Sequence, residues 1–74
     1  MVSALTPILD FNQRFGCAFS DEDYDTVGGL VTATAGYVPE AGETIGIGGF
    51  RFEVAKADDR RVHLFRLRTE GSDA

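Results

Sequence analysis

At residues 23–30 the chain reads Asp23-Tyr24-Asp25-Thr26-Val27-Gly28-Gly29-Leu30, which ends an acidic turn and opens the longer of two predicted helices. Asp25 is predicted as the N-cap, because its carboxylate can accept from free N–H groups of the first turn and suits the positive end of the helix dipole. The helix then starts at Asp25 or Thr26. Its apolar stripe follows a 3.6-residue period and ends before Gly36, a C′ glycine; the stripe comprises Val27, Leu30, Val31, Thr34 and Ala35.

Two adjacent glycines, Gly28 and Gly29, are unusual in a first helical turn. Each costs about 1 kcal/mol relative to alanine inside a helix, so something must come close to the backbone there. One explanation is tight packing of the helix on a sheet. The other is a bound anion, such as the phosphate of an adenine nucleotide, at the helix N-terminus. The acidic residues upstream count against the anion.

Linked motifs extend from this stretch through most of the chain. They are residues 23–31, then Gly36-Tyr37-Val38-Pro39-Glu40-Ala41-Gly42-Glu43, then Phe50-Arg51-Phe52-Glu53-Val54, and finally Arg60-Arg61-Val62. In order and spacing they resemble the transporter-associated (CorC/HlyC) domain. That family occurs at the C-terminal end of magnesium and cobalt efflux proteins and of hemolysin-like relatives, behind a membrane domain and two CBS modules. Its members look like small versions of a flavin-binding α+β fold, and the family has no agreed catalytic residues.

The resemblance implies an accessory or regulatory domain of an inner-membrane efflux protein. Its implied partners are the CBS modules and the membrane domain of a parent protein, with a homodimer as a further possibility, and its implied location is cytoplasmic. A small-ligand sensor is the alternative function. Residues 1–69 are assigned to the domain, and 70–74 are expected to form a disordered tail.

Composition limits the possible functions. The chain has 74 residues, 43% of them hydrophobic, which suits one domain with a small core. Its net charge of -5 argues against nucleic acid and anionic membrane surfaces as partners. One cysteine, Cys17, allows no internal disulfide. No apolar run is long enough to cross a bilayer, so we expect no direct membrane insertion by this segment. Acidic residues dominate the first part of the chain, and six of seven basic residues follow Phe50.

The acidic turn is the best candidate for a cation site. Asp21, Asp23 and Asp25 alternate as in the first half of an EF-hand loop. The comparison then fails, because Thr26 stands where that loop needs glycine and Thr32 where it needs glutamate. Helix capping and a hydrated surface explain the spacing better, while a loosely held divalent cation remains the alternative.

No catalytic set is expected. His63 is the sole histidine and is predicted on a different element from Cys17, so we expect no enzyme activity. Glycines 46, 48 and 49 are interpreted as part of a hairpin and not as a phosphate loop, because no helix follows them.

The remaining patterns predict an α+β fold, with two short helices packed on a small, mainly antiparallel sheet. Val2 to Leu5 is predicted as an edge strand. Thr6 is the expected N-cap and Pro7 the expected first residue of a helix that carries Ile8, Phe11 and Phe15 and ends at Gly16. Strands are predicted at residues 43–47, at Phe50–Val54 and at Arg61–Thr69, with a bulge near His63 in the last.

Overall fold

The computed structural model describes residues 1–69, and the tail predicted at 70–74 lies outside them. Helices and strands follow one another along the chain in the order β1 (Val2–Ser3), α1 (Ile8–Phe15), α2 (Val27–Ala35), β2 (Thr44–Ile47), β3 (Phe50–Ala57) and β4 (Val62–Thr69). The strands form one sheet in the order β1-β4-β3-β2, and every neighbouring pair is antiparallel. Two helices packed on this sheet confirm the predicted α+β class.

The first strand lies at the edge of the sheet, as predicted, although it is shorter than expected. Val2 pairs with Phe65 and Ser3 with Leu64, so the beginning of the domain is attached to its last described strand. Ala4 continues this attachment, because its N–H donates to the carbonyl of His63 at 2.9 Å.

Helix α1 confirms the predicted apolar stripe but not the predicted start. Ile8 and Phe11 are buried, Phe15 is 37% exposed, and Gly16 ends the helix at φ +67°. The N-cap is Pro7, with no side-chain cap, and not Thr6. Thr6 does not cap because its segment pairs with the segment before α2.

Helix α2 begins at Val27, and its N-cap is Thr26, so the prediction of Asp25 as N-cap was wrong. The Thr26 Oγ1 accepts from the N–H of Gly29 at 3.2 Å. Asp25 precedes the N-cap by one residue. Its backbone is held there by pairing, because its carbonyl oxygen accepts from the N–H of Ile8 at 3.0 Å. Gly36 ends the helix at φ +85°, as predicted.

The two segments that precede the helices pair with each other. Pro7 and Thr26 form an isolated antiparallel bridge. The N–H of Ile8 donates to Asp25, and the N–H of Val27 donates to the carbonyl of Thr6 at 3.0 Å. Each helix therefore has a donor of its first turn satisfied by the other segment, which fixes the two helix starts side by side.

The predicted hairpin between β2 and β3 is confirmed. Ile47 pairs with Phe50 across Gly48 and Gly49, which have φ values of +58° and +85°. Two consecutive positive φ values are the requirement of a tight two-residue turn between twisted strands.

The predicted bulge near His63 is also found, together with a second one. From the pair Val54–Phe65 to the pair Lys56–Leu64, β3 advances two residues and β4 one. From Lys56–Leu64 to Ala57–Val62, β3 moves by one residue and β4 by two, so His63 is the extra residue of the second bulge. This double shift places both Val62 and Phe65 in the core although they are three residues apart.

The core lies between the helices and the sheet. Its largest fully buried side chains include Phe11, Phe52 and Phe65. The ring centroids of Phe52 and Phe65 are 5.6 Å apart at an interplanar angle of 75°, an edge-to-face contact, and Phe11 lies 5.8 Å from Phe52. Phe19 and Tyr24 pack against this cluster.

Candidate functional site

A cleft of about 370 Å³ opens beside the start of α2. One wall, the helix wall, is formed by residues of α2 and its cap: Thr26, Gly28, Gly29 and Thr32. The other, the turn wall, consists of Arg60, Arg61 and Val62, where β3 turns into β4. Ala4 and Leu5, which follow β1, lie between them.

Position 28 on the helix wall is a glycine because Ala4 lies against it. A Cβ added at Gly28 would be 2.8 Å from the Ala4 Cβ and 2.9 Å from the Ala4 carbonyl oxygen. The same carbonyl accepts from the N–H of Gly28 at 2.9 Å. Close packing thus accounts for one of the two glycines. Gly29 is different, since the nearest atom to its added Cβ is the Thr26 Oγ1 at 3.5 Å, an ordinary contact.

The N–H groups at the start of α2 are all engaged within the chain. Val27 donates to Thr6, Gly28 to Ala4, and Leu30 to the carbonyl of Thr26 at 3.1 Å. The remaining donor is Gly29, which uses the Thr26 hydroxyl. Gly28 and Gly29 do line the cleft, as their prediction as nucleotide-binding residues requires, but they bring no free backbone donor to it.

The turn wall is organised by a single carboxylate, that of Asp58. Its Oδ1 accepts from the N–H groups of Arg60 and Arg61 at 2.8 and 2.9 Å, and its Oδ2 lies 2.8 Å from the His63 Nε2. The hydrogen bond from the Arg60 N–H, followed by those from His63 and Arg61, lowers the pKa of Asp58 from 3.8 to about 2. The turn is therefore held by an ionised aspartate.

The side chains of Arg60 and Arg61 are exposed at the cleft, and no ion pair joins either of them to another residue within 1–69. Arg66 and Arg68 on β4 differ, since they lie 3.9 and 3.6 Å from the Glu53 carboxylate. The cleft thus carries two guanidinium groups that no salt bridge engages within residues 1–69, although Asp58 and Asp59 lie on the same turn.

In the sequence, Arg60 and Arg61 belong to a family motif and Arg61 is the predicted start of a strand, but neither was predicted to belong to a site. Aspartate two and three residues ahead of the arginines was a usable signal for the turn, because Asx turns bind the N–H groups that follow them. Their position opposite Gly28 depends on pairing across the sheet, which no local pattern reveals.

The acidic turn lies exposed before α2. Asp21, Asp23 and Asp25 all have exposed side chains, and across residues 1–69 no three carboxylate, histidine or cysteine side chains are grouped as a metal ion would need. The structure thus does not bring the three predicted ligands together as a group. A cation there stays a prediction.

The other reactive side chains are apart from one another. His63 contacts Asp58, while Cys17 is half-buried, with its Sγ 3.6 Å from the carbonyl oxygen of Phe15. Desolvation raises the pKa of the Cys17 thiol, which favours the unreactive protonated form.

Comparison with known proteins identifies the family. The family model of the CorC_HlyC transporter-associated domain matches residues 1–71. This chain belongs to the CorC/HlyC family. The magnesium and cobalt efflux protein CorC of Escherichia coli K12 is 56% identical over 61 residues, which are 82% of this chain and 21% of that protein. The chain therefore spans about a fifth of the length of this curated relative.

Solved structures of the family agree with the fold. A region from Neisseria meningitidis MC58, described as associated with an Mg²⁺ and Co²⁺ transporter (CorC), has 44% identity and a TM-score of 0.89, and the match covers 92% of this chain and 84% of that one. A hemolysin domain from Enterococcus faecalis V583, 23% identical, shares the fold with a TM-score of 0.79, covering 92% of this chain and 83% of its own. In the part of this chain that the structure describes, neither helix is long and apolar enough to span a bilayer.

Proposed function

We propose that this CorC/HlyC domain is a non-catalytic accessory domain, which modulates ion efflux by a CorC-type protein through contacts with other domains or subunits. The observation that carries the proposal is the 56% identity to a magnesium and cobalt efflux protein of which the domain spans only 21%. A segment of that size inside a larger transporter is suited to regulate transport and too small to form the ion pathway alone.

The surface of the domain supports a role in contacts. Leu5 and Leu9 are 70% and 58% exposed and lie four residues apart where α1 begins. Leu5 lies in the turn before α1 and Leu9 in its first turn, and exposed large apolar side chains of this kind suit contact with another domain. The partners that the family implies are the CBS modules and the membrane domain of a parent protein, or a second copy of the domain, on the cytoplasmic side of the inner membrane.

Deletion of the domain from its whole parent protein tests this function. The deleted protein is reconstituted in vesicles, and magnesium and cobalt efflux are measured beside the intact protein. We expect altered efflux or altered regulation, with membrane insertion unchanged. Identical transport by the two proteins would overturn the proposal.

A point variant separates loss of the folded domain from mere shortening of the chain. Phe52 is fully buried on β3, so Phe52→Asp places an unpaired charge in the core and is expected to unfold the domain in place. It should reproduce the effect of deletion. Lys56→Gln, on the same strand but exposed, is the matched control and should leave efflux unchanged.

The apolar surface has its own test in the parent protein. Leu9→Ser removes one exposed leucine and is expected to weaken regulation without unfolding the domain, because little buried area is lost. Gln13→Ser, at an exposed position one turn further along α1, is the control. Equal effects of the two substitutions would argue against this surface as the contact.

A small-ligand sensor is the second candidate function, and the cleft is the observation that favours it, because about 370 Å³ is within the range of small-molecule sites. A cation at the acidic turn, whose aspartates do not line the cleft, is a separate version of this function. It is tested by thermal melts in millimolar magnesium or cobalt at matched ionic strength. A ligand at one hundred times its Kd adds about 2.7 kcal/mol of stability. That increment should vanish when Asp21, Asp23 and Asp25 are replaced by asparagine if those residues bind the ion.

A further inference from the structure

The turn wall of the cleft carries two positively charged side chains. Arg60 and Arg61 lie next to each other at the cleft, and neither guanidinium has an ion-pair partner within residues 1–69. The chain has twelve acidic residues against seven basic ones, so carboxylates are plentiful. Two carboxylates lie on the same turn: Asp58 is directed to backbone N–H groups and to His63, and Asp59 forms no ion pair with either arginine within residues 1–69.

The backbone of the turn is fixed before any ligand arrives. The Asp58 carboxylate holds the N–H groups of both arginines, and the Asp58 N–H donates to the carbonyl of Arg61 at 2.9 Å. A preformed turn lowers the ordering cost of binding, since only the two side chains remain to be immobilised.

The opposite wall contributes hydroxyl groups and not helix N–H donors. The first-turn N–H groups of α2 are occupied, so the helix terminus does not form the site. Thr26 accepts from Gly29 through its Oγ1, which leaves its hydroxyl hydrogen to donate, and Thr32 lines the same wall.

We propose that this cleft binds a phosphate group, free or as part of a small ester, through the guanidinium groups of Arg60 and Arg61. A phosphate monoester carries a charge of about -1.5 to -2 and three acceptor oxygens, so it can serve two guanidinium forks at once. A single carboxylate has one charge and satisfies one fork. Leu5, which is 70% exposed, provides apolar surface in the same cleft for the organic part of an ester.

This site rests on the second candidate function, the small-ligand sensor, and names its ligand class, whereas it does not depend on the accessory function. Contacts with other domains can modulate efflux with the cleft empty, and a phosphate can bind whether or not the parent transports ions. Binding to the domain and efflux by the parent are separate measurements, so failure of one proposal is distinguishable from failure of the other.

The test is an NMR titration of the ¹⁵N-labelled chain at constant ionic strength. The Neisseria relative was crystallised as a chain of which this one covers 84%, so a unit of this size folds by itself. The probes are inorganic phosphate, ribose 5-phosphate and ATP, with sodium chloride as the reference salt. We expect saturable shifts at the amides of Arg60, Arg61 and Gly29. Equal affinity for all three phosphates assigns free phosphate, and tighter binding of the esters assigns an ester.

Variants with matched charge decide whether the two arginines form the site. Arg60→Gln with Arg61→Gln keeps the N–H groups that Asp58 binds, and is expected to raise the Kd about tenfold or more. Arg14→Gln with Lys56→Gln removes the same charge from exposed positions elsewhere and should leave the Kd within about twofold, since distant surface charges are screened. Arg60→Lys with Arg61→Lys retains the charge without the forks and should give an intermediate Kd.

Three results would overturn the proposal. Shifts that rise linearly without saturation would indicate only non-specific association of phosphate with the surface. Equal weakening by the two glutamine pairs would show that net charge, and not the cleft, attracts phosphate. Shifts at Arg60 and Arg61 with a glutamate-rich peptide, and none with any phosphate, would assign the cleft to an acidic protein segment.

Discussion

The two walls of the cleft are held in place by different forces. The helix wall is fixed by close packing, with Gly28 against Ala4 and the Thr26 side chain capping the first turn. The turn wall is exposed and is fixed by the ionised carboxylate of Asp58. The helix wall should therefore respond to changes of volume and capping, and the turn wall to charge and pH.

Among substitutions in the two walls, the largest loss of folding stability is expected at Gly28. Gly28→Ala places a methyl group within 2.9 Å of the Ala4 Cβ and carbonyl oxygen, so α2 or the segment at Ala4 must shift. Overpacking of this kind costs about 1–3 kcal/mol, partly offset by up to about 1 kcal/mol of helix propensity. We expect a net loss of about 1–2 kcal/mol, measured by urea unfolding monitored by circular dichroism.

Gly29→Ala is the matched control, because its methyl group meets no atom closer than 3.5 Å. The same gain in helix propensity then acts without the overpacking, and stability should stay equal or rise by up to about 1 kcal/mol. If the two alanine variants had equal stability, the contact between Gly28 and Ala4 would not be what requires glycine.

Loss of the cap on the helix wall should have the next largest effect. Thr26→Ala removes the hydroxyl that accepts from Gly29, at an expected cost of about 1 kcal/mol. In a domain of this size that lowers the Tm by about 4–8 °C. Thr26→Ser retains the oxygen and should restore most of the loss. An equal loss in the serine variant would mean that the Thr26 methyl group, and not its hydroxyl, stabilises the turn.

The helix wall could be predicted from the sequence better than the turn wall, because local patterns report packing and capping. Helix α2, its glycine end, the hairpin at Gly48 and the bulge at His63 depend on local periodicity and turn chemistry, and all were predictable. The wrong caps, Asp25 for Thr26 and Thr6 for Pro7, have one cause. The segments before the two helices pair with each other, and a contact between residues 7 and 26 overrides local cap preference.

The turn wall was the part that sequence reasoning missed. Hydrophobic patterns report which residues are buried, and Arg60 and Arg61 are exposed. Their place opposite Gly28 arises because β1 pairs with β4, which brings the start of the chain beside the end of the β3–β4 turn. The sequence alone does not show that the start of the chain and the β3–β4 turn lie side by side.

The smallest effect is expected from acid, and it concerns Asp58. Its pKa is lowered from 3.8 to about 2 in the folded chain, so ionised Asp58 contributes stability that is present above about pH 4 and is lost as the pH falls toward 2. The side chain is exposed, so the contribution is small. We expect the Tm difference between the native chain and Asp58→Asn to shrink from pH 5 to pH 2. Asp59→Asn, on the same turn, is the control variant, because no hydrogen bond to the Asp59 carboxylate is found within residues 1–69.

The contribution of each hydrogen bond to the lowered pKa of Asp58 can be measured directly. The first cause of the lowered pKa of Asp58 is the N–H of Arg60, and the His63 ring comes second. His63→Ala should therefore raise the pKa of Asp58 only part of the way to 3.8, as followed by carboxyl ¹³C shifts against pH. A complete return to 3.8 would mean that the histidine, and not the backbone of the turn, keeps Asp58 ionised. In that case the turn wall would depend on a side chain of β4, and His63→Ala should weaken phosphate binding as well.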